Sequence, residues 1–106
     1  MPDVVVLDAR DKFGVVFRRE IDSDVFRALT PTAKMAYIVL TLYATKDSRE
    51  SFPKQATIAQ IVGVTRPAVN KAIGELVEAK LVSRKTVATG SGRTTMTVYT
   101  LLALEP

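Results

Sequence analysis

Arg66, Asn70 and Lys71 stand close together in the chain. An arginine can donate two parallel hydrogen bonds to guanine O6 and N7, and an asparagine amide can bridge adenine N6 and N7. A lysine ammonium neutralises phosphate as a point charge. On one helix surface these side chains would read base edges and hold a polyanion. Thr65 precedes them as a helix cap, with Pro67 and Ala68 in the first turn. The positive end of the helix, which favours phosphate, then lies beside the same residues. A second set of polar residues surrounds the turn Thr89-Gly90-Ser91-Gly92: Arg84 and Lys85 before it, Ser91 at its tip, Arg93 and Thr94 after it. Such a tip can lie along a sugar–phosphate backbone or reach a minor groove. The alternative is an exposed hairpin whose charges serve solubility. Lys54 and Gln55 open the preceding helical segment and complete the candidate set.

The residues that most enzymes use are missing. The chain has no cysteine and no histidine, which removes thiolate metal sites, the commonest metal ligand and the commonest general base near neutrality. It carries no glycine-rich phosphate loop and no convincing carboxylate pair, so neither an enzyme nor a cofactor, metal or small-molecule substrate is expected. Asp3, Asp8 and Asp11 do not converge as a hard cation requires and are read as surface charges. The 106 residues are 47% hydrophobic and 25% charged, the balance of one globular domain. Residues 35–40 form the longest apolar stretch, too short to span a bilayer. With no signal-peptide pattern, a bacterial cytoplasmic or nucleoid location, away from membranes, is expected. Residues 1–53 carry eight Lys/Arg against eight Asp/Glu, whereas residues 54–106 carry seven against three and hold the whole +4. A surplus confined to one half suits a face meant for a polyanion, or an inert basic surface.

Several elements must position these groups. Residues 4–7 and 14–19, rich in β-branched side chains, predict two strands that pair as a hairpin. Residues 24–29 predict a short helix capped by Ser23 or Asp22. Thr30-Pro31 starts a helix over 31–45 that is apolar almost all round, hence buried or partly a subunit interface. Tyr37, Tyr43 and Phe26 fall at core spacing. A polar loop over 46–51 leads to helices over 54–62 and 66–80, then to strands over 81–87 and 94–102, where Tyr99 is expected to pack inward. Two short helices crossing steeply need a small residue at their contact, here Ala59, and a turn residue tolerant of positive φ, here Gly63. Ile58, Val62, Val64 and Val69 would flank that turn inwardly. Val69, Ala72, Ile73, Leu76 and Val77 line one face of the second helix. Gly74 within it is either a tolerated defect or a point of close approach to DNA or another helix.

Residues 55–74, with small Ala59, turn Gly63 and inward Val69, resemble the helix-turn-helix signature. Residues 75–84 resemble the Leu-x-x-x-Gly-Leu-Val-x-Arg junction into the wing of winged-helix proteins, with Lys80 where that family has glycine, so a different helix cap is expected. Leu29-Thr30-Pro31-Thr32-Ala33-Lys34 and Ser51-Phe52-Pro53-Lys54-Gln55 are similar to the N-terminal winged-helix domains of plasmid and phage replication initiators and, more loosely, to MarR-type transcriptional regulators. The resemblance spans roughly residues 21–101. It implies a mainly α fold with a small β component (α+β): a winged helix-turn-helix with a C-terminal β-hairpin wing. Residues 1–20 would be an N-terminal strand or hairpin extension, 21–102 the domain and 103–106 a tail. It also implies sequence-specific binding of double-stranded DNA in transcriptional regulation, replication initiation or plasmid maintenance, with a homodimer on paired half-sites. A protein–protein assembly module is the alternative.

Overall fold

The computed structural model describes residues 16–45, 48–90, 92 and 94–102. Five helices and three strands follow in order: α1 (Arg18–Ile21), α2 (Asp24–Arg27), α3 (Pro31–Tyr43), β1 (Glu50–Ser51), α4 (Gln55–Val62), α5 (Arg66–Glu78), β2 (Val82–Ala88) and β3 (Thr95–Leu101). The strands form one antiparallel sheet in the order β1-β3-β2. This is the expected α+β arrangement, a helical body with a C-terminal hairpin.

Local chemistry starts the helices where the sequence indicates. Ser23 accepts the amide of Phe26 at 3.1 Å and caps α2. Thr30 accepts the amide of Ala33 at 3.3 Å at the head of α3, with Pro31 where its missing N–H is not needed. The Thr30 hydroxyl also donates to Glu75 Oε2 at 2.6 Å, tying the start of α3 to the middle of α5. α3 packs on both α4 and α5. Ala33, Ala36, Tyr37, Val39 and Leu40 from α3 meet Ile58 and Ala59 from α4 and Val69, Ala72, Ile73 and Leu76 from α5. The sheet adds Val82, Tyr99 and Leu101. Val62, Val64 and Val77 lie half-buried against this cluster.

Part of the N-terminal reading lies outside the described residues, and several other expectations are corrected. Residues 4–7 and 14–15, with Asp3, Asp8 and Asp11, lie outside the described residues, and Arg18 and Arg19 begin a helical turn instead of ending a strand. The backbone N–H of Asp22 closes that turn on the Arg18 carbonyl. Residues 50–51, expected in a loop, pair with β3, because Glu50 and Ser51 meet Thr100 and Tyr99 in register. Ser51 is buried and donates to the Leu40 carbonyl at 2.9 Å. Tyr43 is not core: it sits 45% exposed at the last residue of α3. Met35, Ile38 and Leu42 are likewise exposed, so α3 has a buried face and an uncovered apolar one.

Glu20 is the least expected core member. It is 0% exposed, and its Oε2 accepts a hydrogen bond from the Tyr37 hydroxyl at 2.5 Å while among the described residues Oε1 has no partner. Burial, the hydrogen bond to Glu20 and the Glu20 charge push the Tyr37 hydroxyl well above the usual tyrosine range, and Arg49 opposes them. Phe26 meets Tyr37 edge-on at 6.0 Å between centroids.

Helix α5 ends with glycine geometry but without glycine. Lys80 adopts φ 63°, its amide donates to the Val77 carbonyl and that of Leu81 to the Leu76 carbonyl, both at 3.0 Å. This is the Schellman pattern, completed by the buried pair Leu76 and Leu81. The expectation of a different cap is therefore corrected: the hydrogen bonds and the leucine contact hold Lys80 in the left-handed region. That conformation costs an L-residue roughly 1–2 kcal/mol, against a glycine entropy penalty of about 0.5–1 kcal/mol. Lys80→Gly is expected to stabilise the fold by about 0.5–1 kcal/mol, seen as a higher urea midpoint at unchanged m-value.

A Cβ added at Gly74 would meet no heavy atom within 4 Å. Close approach to another helix therefore does not explain this glycine. Gly74→Ala is expected to raise stability by about 1 kcal/mol through helix propensity, a Tm increase of roughly 4–8 °C in a domain of this size.

Candidate nucleic-acid interface

Helices α4 and α5 meet through buried Ile58, Ala59, Val69 and Ile73. Gly63 turns the chain between them at φ 84°, and the amides of Gly63 and Val64 both donate to the Ala59 carbonyl, at 2.8 and 3.0 Å. An L-residue with a side chain would be strained at that φ. Thr65 then accepts the Ala68 amide at 3.3 Å and starts α5, with Pro67 in the first turn. Burying Val69, Ala72, Ile73 and Leu76 turns the opposite face of α5 outward. Arg66, Pro67, Asn70 and Lys71 are exposed on it, and Ala68 is half-buried.

The first turn of α4 borders this face. Gln55, Arg66, Pro67 and Asn70 line one open surface depression. The Gln55 Nε2 group donates to Asn70 Oδ1 at 3.3 Å. A second donor reaches the same oxygen from the sheet: Arg84 Nη1, also at 3.3 Å. One side chain of α5 thus joins α4, α5 and β2. Lys54 is exposed at the N-cap of α4 and makes no capping hydrogen bond through its side chain.

Strand alternation separates the two cations that precede the wing turn. Arg84 lies opposite Tyr99, on the sheet face that the helices cover. Lys85 points to the other face, where its Nζ sits 3.6 Å from Glu50 Oε2. The structure thus gathers Gln55, Arg66, Pro67, Asn70 and Arg84 on one side and turns Lys85 away from them. Thr94 is exposed, and its carbonyl accepts from the Thr89 amide at 2.9 Å and from the Thr89 hydroxyl at 3.1 Å. The Gly92 amide returns to the Thr89 carbonyl at 2.8 Å, with Gly92 at φ 74°. Ser91 and Arg93 lie outside the described residues.

The sequence offers Gln55, Asn70 and Arg84 as three separate candidates. Their meeting at one oxygen has no signal in spacing, because it depends on how the hairpin folds back against α5. Among the described residues, no group of three or more acidic side chains is placed to hold a metal ion, and no helix is long and apolar enough to cross a membrane.

Comparison with solved structures shows the same fold in two chains. One, described as the "N-Terminal domain of DNA binding protein", aligns with a TM-score of 0.60 at 14% identity, over 95% of this chain and 85% of its own. The other, described as "Structure of Rep-DNA complex", aligns with a TM-score of 0.58 at 16% identity, over 88% of this chain and 76% of its own. Comparison with curated proteins gives no significant match. A family model described as "Helix-turn-helix domain" matches residues 27–82, from the last residue of α2 through the first residue of β2. That match takes in α3, α4, the Gly63 turn and the whole of α5, and on it the chain belongs to this helix-turn-helix domain family.

Proposed function

We propose that this domain binds double-stranded DNA sequence-specifically, with α5 in the major groove and the β2–β3 hairpin as a wing beside it. The observation that carries this reading is the outward face of α5. Arg66, Asn70 and Lys71 are exposed there beside Gln55 and Arg84, at the positive end of a capped helix and in the half of the chain that holds the net charge. Arg66 would read guanine, Lys71 and Lys54 would meet phosphates, and Thr65, Pro67 and Ala68 would bring the helix end close to the duplex. Ser91, Arg93 and Thr94 would supply the wing contacts, while Lys85 is turned to the other sheet face beside Glu50. Family membership and the fold shared with two structures described as DNA-binding support the reading. The natural role is regulation of transcription or initiation of replication, in the cytoplasm or nucleoid.

Fluorescence anisotropy with a pool of random duplexes at two salt concentrations tests it. The expected result is binding that weakens by about 10-fold or more for a several-fold rise in salt, in line with counterion release from several phosphates. No binding at low salt would refute it.

The exposed residues Met35, Ile38 and Leu42 favour one further reading, that α3 carries an assembly surface. They recur at helical spacing along one face of α3. A homodimer formed there would match paired half-sites. Sedimentation with and without DNA separates a monomer from a dimer.

A further inference from the structure

Asparagine and glutamine amides are ambiguous in orientation unless a neighbour decides it. Arginine decides this one. A guanidinium has donors and no acceptor, so the atom of Asn70 that faces Arg84 must be its oxygen. Gln55, meeting the same oxygen, must then present its NH2 group. Two donors occupy the two lone pairs of Asn70 Oδ1. Among the described residues the Asn70 NH2 group has no hydrogen-bond partner, and Asn70 is exposed.

This matters for base recognition. The bidentate asparagine–adenine pair needs the amide oxygen to accept from N6 while the NH2 donates to N7. With its oxygen engaged internally, Asn70 is left as a donor. Guanine is the base that offers two acceptors, O6 and N7, on one major-groove edge.

We propose that Arg84 is a specificity-setting positioning residue: with Gln55 it saturates the Asn70 carbonyl, makes Asn70 a donor-only reader, and directs it to guanine in place of adenine. The inference rests on the DNA-binding reading above. Arg84 comes from the base of the wing, so the hairpin sets base preference through a residue of the recognition helix without touching the base itself.

Two measurements test it. In the free protein, the side-chain amide resonances of Asn70 should shift in Arg84→Ala and stay in place in Lys85→Ala, since Lys85 lies on the other sheet face. In site selection from random duplexes, wild type should choose guanine at one position. Arg84→Ala should move that choice toward adenine, a change in relative preference of about 10-fold, within the range of one bidentate pair. Lys85→Ala removes the same charge and should leave the choice unchanged. Evenly weaker binding of Arg84→Ala to all sequences, with guanine still chosen, would make Arg84 a phosphate contact and overturn the proposal. Selection of adenine by wild type, or unmoved Asn70 resonances in Arg84→Ala, would overturn it as well. Failure of wild type to bind any duplex would instead remove the DNA-binding reading itself.

Discussion

The double variant Arg66→Ala/Lys71→Ala is expected to lose most of its affinity for duplex DNA while keeping its fold. Both side chains are exposed on α5 and make no hydrogen bond or ion pair within the described residues, so removing them leaves the core intact. Arg66 stands at the first residue of the helix, where a side chain reaches furthest into a groove entered end-on. Loss of one bidentate arginine–guanine contact amounts to roughly 1–3 kcal/mol, a factor of about 5–150 in Kd. Loss of Lys71 from a phosphate lowers the slope of log K against log salt by about 0.9. The two effects are separable. Arg66→Ala alone should flatten base preference at one position, whereas Lys71→Ala alone should weaken all sequences alike and reduce the salt slope. Anisotropy at three salt concentrations, with selected and scrambled duplexes, distinguishes them. Equal affinity for every duplex before and after Arg66→Ala would remove arginine readout from the mechanism. An unchanged circular-dichroism melt would assign the loss to the interface.

Tyr37→Phe is expected to destabilise the domain by about 1–3 kcal/mol, although it removes a single oxygen. Among the described residues the Tyr37 hydroxyl is the one hydrogen-bond partner of the Glu20 carboxyl, and the other carboxyl oxygen has none. Taking it away leaves the whole buried carboxyl unpaired. The expected fall in Tm is several degrees, about 4–8 °C per kcal/mol for a domain of this size. The companion variant Glu20→Leu/Tyr37→Phe should recover much of the loss, because replacing both partners by apolar groups removes the desolvation penalty. A double-mutant cycle reads the coupling directly; additivity within about 0.5 kcal/mol would show that the pair is not coupled.

The same pair predicts a pH dependence. Tyr37 holds its proton more tightly in the folded than in the unfolded chain, first through burial, then through its hydrogen bond to Glu20 and the Glu20 charge. A raised folded-state value contributes stability that is fully present below the unfolded tyrosine value of about 10 and is lost as pH rises above it. The advantage of wild type over Tyr37→Phe should therefore be constant near neutrality and shrink above about pH 10. Urea unfolding at pH 7 and pH 10.5, as two points on about either side of that value, measures the difference.

Signals written in a few consecutive residues survived into the structure. Ser23, Thr30 and Thr65 cap the helices they precede, since a cap needs only an oxygen three residues before an unpaired amide. The spacing of Val69, Ala72, Ile73 and Leu76 decides which face of α5 is buried and, by exclusion, which face carries Arg66, Asn70 and Lys71 outward. Gly63 turns where a positive φ is required. The helix-turn-helix and the hairpin were legible because each is specified within its own segment.

The remaining features belong to contacts between distant segments. Strand β1 is two residues long, too short for a propensity signal, and exists because β3 offers Thr100 and Tyr99 as partners. Glu20 looks like one of a run of surface charges and is buried only because α1 lies where the Tyr37 hydroxyl can meet it. Tyr43 shares its spacing with core residues yet is exposed at the last residue of α3. Lys80 occupies a glycine conformation because the hydrogen bonds of Lys80 and Leu81, with the Leu76–Leu81 contact, outweigh its backbone strain. The sequence by itself therefore determined helices α2 to α5, the caps at the heads of α2, α3 and α5 and the outward residues of α5, since these follow from interactions within one or two turns. Only the tertiary structure decided that Arg84 and Gln55 meet on the carbonyl of Asn70, because that contact exists only once the hairpin, α4 and α5 are packed together.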